Sequence, residues 1–158
     1  MDTPFASPAE RPRLEALAAP VPASAWIAVV ADAGGAVAAV AARASTARVL
    51  AVVEGSPLPA LMHLSAEGVR HRVHLVAGGT AAASAAWREP LALLCLPARD
   101  PCLRTLFQAW GRHVRAPGHV LFVGGLAPHP RALGVSDRNW IAHLRGDGLF
   151  LLTRRPHG

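Results

Sequence analysis

Asp32 is followed by Gly34 and Gly35, and 22 positions after it Glu54 opens the tripeptide Glu54–Gly55–Ser56. Glycines behind an acid let a ligand approach the backbone closely, and a helix starting just beyond them offers free N–H groups. An acid at the end of the following strand is placed to accept from both hydroxyls of a ribose. Together these residues describe a nucleoside site. Two other residues could move protons. His129 lies in a proline-flanked loop, and an imidazole serves as a base near neutral pH. Asp100 stands just ahead of Pro101, where it could take a proton or cap the helix that the proline begins.

For these residues to meet, the chain between them must form strands that run side by side. Apolar runs at 26–31, 48–53, 72–77, 91–96 and 119–124 read as strands, and they alternate with helical segments at 36–44, 58–67, 80–87 and 101–114. Strands that are continuously apolar and separated by helices belong to a parallel sheet covered on both faces. The segment 101–114 carries Leu103, Leu106, Phe107, Trp110 and Val114 on one face. Arg104, Gln108, Arg112 and Arg115 share the other, which reads as a solvated face before it reads as an acid- or nucleic-acid-binding one. Beyond a loop at 126–135, Ser136 is placed to cap a helix through Leu144, and 148–155 forms a last strand. The expected fold is α/β: a doubly wound, mostly parallel sheet of about six strands, helices on both faces, shortened at its C-terminal end. Residues 1–24 read as a Pro/Ala-rich leader with a short helix at 13–19, and residues 25–158 as one domain.

Composition removes several chemistries. The 158 residues carry 16 cations against 10 acids, and every cation is Arg. Lys and Tyr are both absent, which with a single Asn reads as the mark of a GC-rich coding sequence. Without Lys there is no phosphate-loop lysine, no pyridoxal Schiff base and no Tyr/Lys dehydrogenase pair. Two cysteines, Cys95 and Cys102, are too few for a structural zinc site; both are expected in buried elements, as free thiols of a reducing cytoplasm. The most apolar stretch, 25–44, is interrupted by Asp32, Gly34–Gly35 and Arg43, so no membrane span is expected. A start at Asp2 with prolines at 4, 8 and 12 does not resemble a secretory signal. Hydrolase elbows are missing around Ser56 and Ser84, and the basic runs at 70–72 and 154–155 lack interleaved aromatics, so nucleic acid is not the expected partner.

From Trp26 to Arg155 the chain resembles the class I S-adenosylmethionine-dependent methyltransferases, in particular their small O-methyltransferase-like branch. ADAGGAVAAVAARA is similar to that family's first motif, ARVLAVVEGSP to its second strand with the ribose-binding acid, and EGVRHRVHLVAGG to its third strand. EPLALLCLPARD and VRAPGHVLFVGG resemble the fourth and fifth. The resemblance implies a Rossmann-like fold and S-adenosylmethionine as cofactor. It places Asp32, Gly34 and Gly35 at the methionine end, Glu54 with Gly55 at the ribose, and Ser56 with Gly79 and Thr80 on the adenine side. It leaves His129 and Asp100 as candidate catalytic bases.

The departures from the family narrow the expected chemistry. Ala36 or Val37 stands where the third glycine of the first motif falls, Gly79 where an acid lies near the adenine, and Ala92 where the fourth strand has an acid. Pro97 stands at the fourth-strand aspartate and Gly124–Gly125 at the acidic pair after the fifth strand. In metal-dependent members those carboxylates hold a divalent cation, and a hard cation needs several oxygen ligands. No metal is therefore expected. The sequence points to a metal-independent methyltransferase acting on a small molecule. The alternative is a catalytically degenerate protein of this fold, serving as a binding or partner subunit or turned to other chemistry. So short a chain leaves little to enclose a substrate, which suggests a homodimer or a partner protein that completes the pocket.

Overall fold

The computed structural model describes residues 4–32 and 34–156. Asp2 of the expected leader and Ala33 of the first-strand turn lie outside the described residues. In chain order the elements are α1 (Glu10–Ala18), β1 (Trp26–Val30), α2 (Ala36–Ala44), β2 (Arg48–Val53), α3 (Leu58–Ala66) and β3 (Val73–Ala77). They continue with α4 (Thr80–Ala86), β4 (Leu91–Pro97), α5 (Leu103–Gly111), β5 (Val114–Val123), β6 (Trp140–Arg145) and β7 (Gly148–Arg154). The seven strands form one sheet in the order β3-β2-β1-β4-β5-β7-β6. β1 to β5 pair in parallel, and β7 runs antiparallel between β5 and β6.

Alternate residues of each central strand feed two separate cores, as period-2 geometry requires. Ile27, Val29, Val49, Ala51, Leu93 and Cys95 face α1 and α2. Ala28, Val30, Leu50, Val52, Leu94 and Leu96 face α5, whose Leu103, Leu106, Phe107 and Trp110 are buried against them. Both faces of the central strands β1, β2 and β4 are dry, which is why these strands read as unbroken apolar runs. The alanines of α2 keep its surface low enough for α1 to pack closely: Leu14 and Ala18 of α1 are fully buried in the same core as Ala38, Ala41 and Ala42.

The C-terminal part departs from the sequence expectation. The helix expected from Ser136 to Leu144 is instead a turn followed by strand β6. Ser136 does make a capping contact, its hydroxyl accepting from the N–H of Arg138, but the turn closes after Trp140 without propagating. Residues from Trp140 onward pair with β7, register Trp140↔Arg154 to Arg145↔Gly148. The two-residue turn Gly146–Asp147 begins with Gly146 at φ +62, the conformation that two-residue hairpin turns require at this position. Trp140 is buried against Phe107 of α5, with the Arg154 guanidinium 4.9 Å from its ring centroid. These long-range contacts outweigh a local helix signal supported by one cap. The sheet consequently has seven strands where about six were expected. Two smaller corrections belong here: α5 ends at Gly111, with Val114 already in β5, and Cys102 is exposed in the turn before α5 while Cys95 is buried in β4.

Candidate functional site

In an open parallel sheet, ligands bind beyond the carboxyl ends of the strands where the strand order reverses. Here the reversal lies between β1 and β4, and a cavity of about 430 Å³ opens there, lined from β1, β4, β5, their following loops and Pro4. Its walls are mainly apolar, including Val30, Leu96, Pro97 and Val123, with Asp32, Arg99 and Asp100 as its charged members.

Strand β1 ends abruptly. Ala31 adopts φ +62, a left-handed conformation that costs an alanine about 1–2 kcal/mol. The N–H groups of Ala31 and Asp32 both point to the carbonyl of Val52, at 2.8 and 3.4 Å. This bend carries Asp32 under the start of α2, where its Oδ2 accepts from the N–H of Ala38 at 3.0 Å. Burial raises the Asp32 pKa, while the N–H groups of Ala38, Val37 and Gly35, together with His63, pull it back. Gly35 is demanded twice. Its φ is +74, and a Cβ there would come within 3.1 Å of Ala60. At Gly34 a Cβ would meet nothing within 4 Å, so its backbone stays open to a ligand. On the β4 wall, burial first and then Asp32 push the Cys95 thiol far above its usual value, so it remains a neutral wall group.

The remaining expected cofactor residues lie along the neighbouring strand ends, outside the cavity lining. Glu54 is exposed at the end of β2 and has no hydrogen-bond or ion-pair partner among the described residues. Gly55 follows at φ +74, and the Ser56 hydroxyl accepts from the N–H of Leu58 at 3.3 Å ahead of α3. Gly79 and Thr80 start α4 beyond β3, at an exposed edge. Of the two candidate bases, Asp100 lines the cavity. Its Oδ1 accepts from the N–H of Cys102 at 2.7 Å. His129 is exposed and outside the lining, and its Nδ1 accepts from the N–H of Arg131 at 3.2 Å. Asp32, Gly34 and Asp100 are thus gathered into one cavity; Glu54, Gly55, Ser56, Gly79 and Thr80 form a ledge beside it.

Sequence reasoning missed Glu10 and Arg99. Glu10 is only 6% exposed, and its carboxylate sits at the end of β5, where Gly124 and Gly125 present their N–H groups. Oε1 accepts from Gly124 at 3.1 Å and from Ala6 at 2.8 Å; Oε2 accepts from Gly125 at 2.9 Å. One acid of α1 therefore ties the N-terminal segment to the edge of the cavity. Its partners at the end of β5 lie 114 and 115 positions away, so nothing local signals that contact.

No family model matches the chain, and no curated protein matches it. Solved structures do. A methyltransferase from Geobacter sulfurreducens superposes with a TM-score of 0.76 at 18% identity, over 96% of this chain and 81% of that one. An rRNA methylase from Streptococcus thermophilus gives 0.66 at 16% identity, over 91% and 93%. An S-adenosylmethionine-dependent methyltransferase from Thiobacillus denitrificans, in complex with S-adenosylhomocysteine, gives 0.60 at 17% identity, over 77% of this chain and 50% of that one. The chain has the class I S-adenosylmethionine-dependent methyltransferase fold.

Proposed function

We propose that this protein is a metal-independent, S-adenosylmethionine-dependent methyltransferase whose acceptor is a small molecule. The observation that carries the reading is the unengaged Glu54 carboxylate beside an open glycine turn, on the strand next to a cavity at the sheet's reversal point. The residues fit the cofactor. Glu54 has both oxygens available for ribose hydroxyls, Gly34 leaves its backbone clear, and Gly55, Gly78 and Gly79 add no side chain to the ledge. The fold agrees with this use, and 430 Å³ lies within the usual range of small-molecule sites, about 300–1,000 Å³.

When bound, S-adenosylmethionine supplies an electrophilic methyl group on a sulfonium sulfur. This chain's work is then positioning, which is the main protein contribution to an in-line displacement. Asp32 acts through α2: its carboxylate is occupied by the Ala38 N–H, so it fixes the glycine turn. Ser56, whose hydroxyl supports α3, shapes the adenine ledge with Gly79 and Thr80. Asp100 holds the proton released by the acceptor on the oxygen not committed to Cys102, and His129 is assigned no step. The metal-independent reading rests on the donor set. Asp32 and Asp100 are each engaged by a backbone N–H, and Pro97, Gly124 and Gly125 bring no oxygen side chains. We place the protein in the cytoplasm, where Cys102 would stay reduced, with a second copy covering the open side of the cavity.

Calorimetric titration with S-adenosylmethionine and S-adenosylhomocysteine tests the reading. Both are expected to bind, and Glu54→Ala is expected to weaken them by about tenfold or more, the worth of a charge-assisted hydrogen bond. Absence of binding at millimolar ligand refutes the proposal. Equal affinity in the variant removes Glu54 from the site.

A further inference from the structure

Among the described residues Arg99 is the one cation in the cavity lining, and its placement is built from three parts of the chain. It lies in the connection between β4 and α5, against the end of β5. A Cβ on Gly125 would come within 2.9 Å of its Nε and 3.5 Å of its Nη2, so the exposed Arg99 side chain lies close against Gly125. Gly125 also has φ +127, a conformation that side chains rarely adopt. From the other direction, Glu10 holds the N–H groups of Gly124 and Gly125 and so fixes the surface on which Arg99 rests.

Among the described residues the salt bridges are Arg11–Glu15 and Arg43–Glu67, and Arg99 has neither an ion-pair nor a hydrogen-bond partner. The acids of this region make other hydrogen bonds: one oxygen of Asp32 accepts from α2, one oxygen of Asp100 from the turn before α5, and Glu10 from the backbone of Ala6, Gly124 and Gly125. An exposed guanidinium in the lining of a mainly apolar cavity, with five donors in a planar fork, is suited to bind a carboxylate or phosphate.

We infer that Arg99 is the anion clasp of the acceptor subsite, and that the acceptor is a small apolar acid, with a carboxylate or phosphate on a body that fits between Val30, Leu96, Pro97 and Val123. This rests on the methyltransferase reading above. Glu54 and the glycine ledge take the nucleoside over β2 and β3, and the Asp32–Gly34 turn takes the methionine end over β1. The β4–β5 side, where Arg99 sits, is then left to the acceptor.

The experiment compares acids with neutral molecules of the same shape on the full chain. Benzoate, phenylacetate and phenyl phosphate are titrated against benzamide and phenylacetamide by calorimetry or ligand-observed NMR, with S-adenosylhomocysteine present and without it. At least one acid is expected to bind about tenfold or more tightly than its neutral counterpart, and to lose that margin in Arg99→Gln. S-adenosylhomocysteine affinity should be unchanged in the variant, and Arg99→Lys should restore part of the margin. Preference for phenyl phosphate over the carboxylates identifies a phosphate-bearing acceptor; the reverse identifies a carboxylic acid. Acids that bind no better than neutral molecules overturn the inference. So does an Arg99→Gln variant that loses S-adenosylhomocysteine binding, which would assign Arg99 to the cofactor, or one that loses affinity only for a short RNA. Failure of S-adenosylhomocysteine to bind the parent protein strikes the methyltransferase reading alone, and the titrations without it still decide whether Arg99 binds an acid.

Discussion

Removing the Glu10 carboxylate should loosen the end of β5 and lower the stability of the whole domain. The three N–H groups it accepts from lie at 2.8, 2.9 and 3.1 Å, within ordinary hydrogen-bond range. A hydrogen bond to a charged group contributes about 1.5–3 kcal/mol, and contributions that share one carboxylate do not add fully. Gly124 and Gly125 are half-buried, so water replaces part of what is lost. Glu10→Ala should therefore cost about 2–4 kcal/mol. Glu10→Gln can keep its oxygen on Ala6 and Gly124 but turns an NH₂ group toward the Gly125 N–H, and should cost about half as much. With a urea slope of about 2 kcal/mol/M, the alanine variant would unfold roughly 1–2 M earlier. Hydrogen exchange at Gly124 and Gly125 should accelerate in both variants. Glu15→Ala, which removes an exposed pair with Arg11 at 3.9 Å, serves as control and should shift stability by less than about 0.5 kcal/mol. If Glu10→Ala unfolds within about 0.5 kcal/mol of the parent at an unchanged slope, the carboxylate does not hold the segment as argued.

Two other outcomes follow from the structure. Trp110 is fully buried, and its Nε1 has no hydrogen-bond partner among the described residues. Trp110→Ala should cost about 3–5 kcal/mol in denaturant unfolding, while Trp110→Phe, which removes no hydrogen bond, should cost under about 1.5 kcal/mol. Burial first, and then His143, hold His119 below the ordinary imidazole value of 6.5, and its Nδ1 lies 3.0 Å from the Thr153 hydroxyl. The unfolded chain then binds protons more readily at this group, so its contribution is present above about pH 6.5 and is lost as pH falls through the folded value. His119→Gln should flatten the decline in stability between about pH 8 and 5; an unchanged slope would show that other groups carry it.

Much of the fold was legible because the strands of a parallel sheet covered on both faces are apolar along their whole length. The run 48–53 coincides with β2, and Leu103, Leu106, Phe107 and Trp110 bury the face that their spacing assigns. The hairpin of β6 and β7 was less legible. Ser136 offers a local helix cap, whereas the contacts that decide the segment, Trp140 with Phe107 and Arg154, join positions far apart in the chain.

For the site, local sequence determined the glycine turn, the acid at the end of each of the first two strands and the absence of lysine chemistry. These are properties of residue type and short spacing. Tertiary structure alone decided what each acid is free to do. Asp32 and Asp100 are engaged by the N–H groups of the segments that follow them, while Glu54 has no partner among the described residues. Only the folded chain brings Glu10 to Gly124 and Gly125, and lays Arg99 against Gly125. The physical reason is that a hydrogen bond or an open space depends on distance in three dimensions. Positions more than a hundred residues apart leave no pattern in sequence from which that distance could be read.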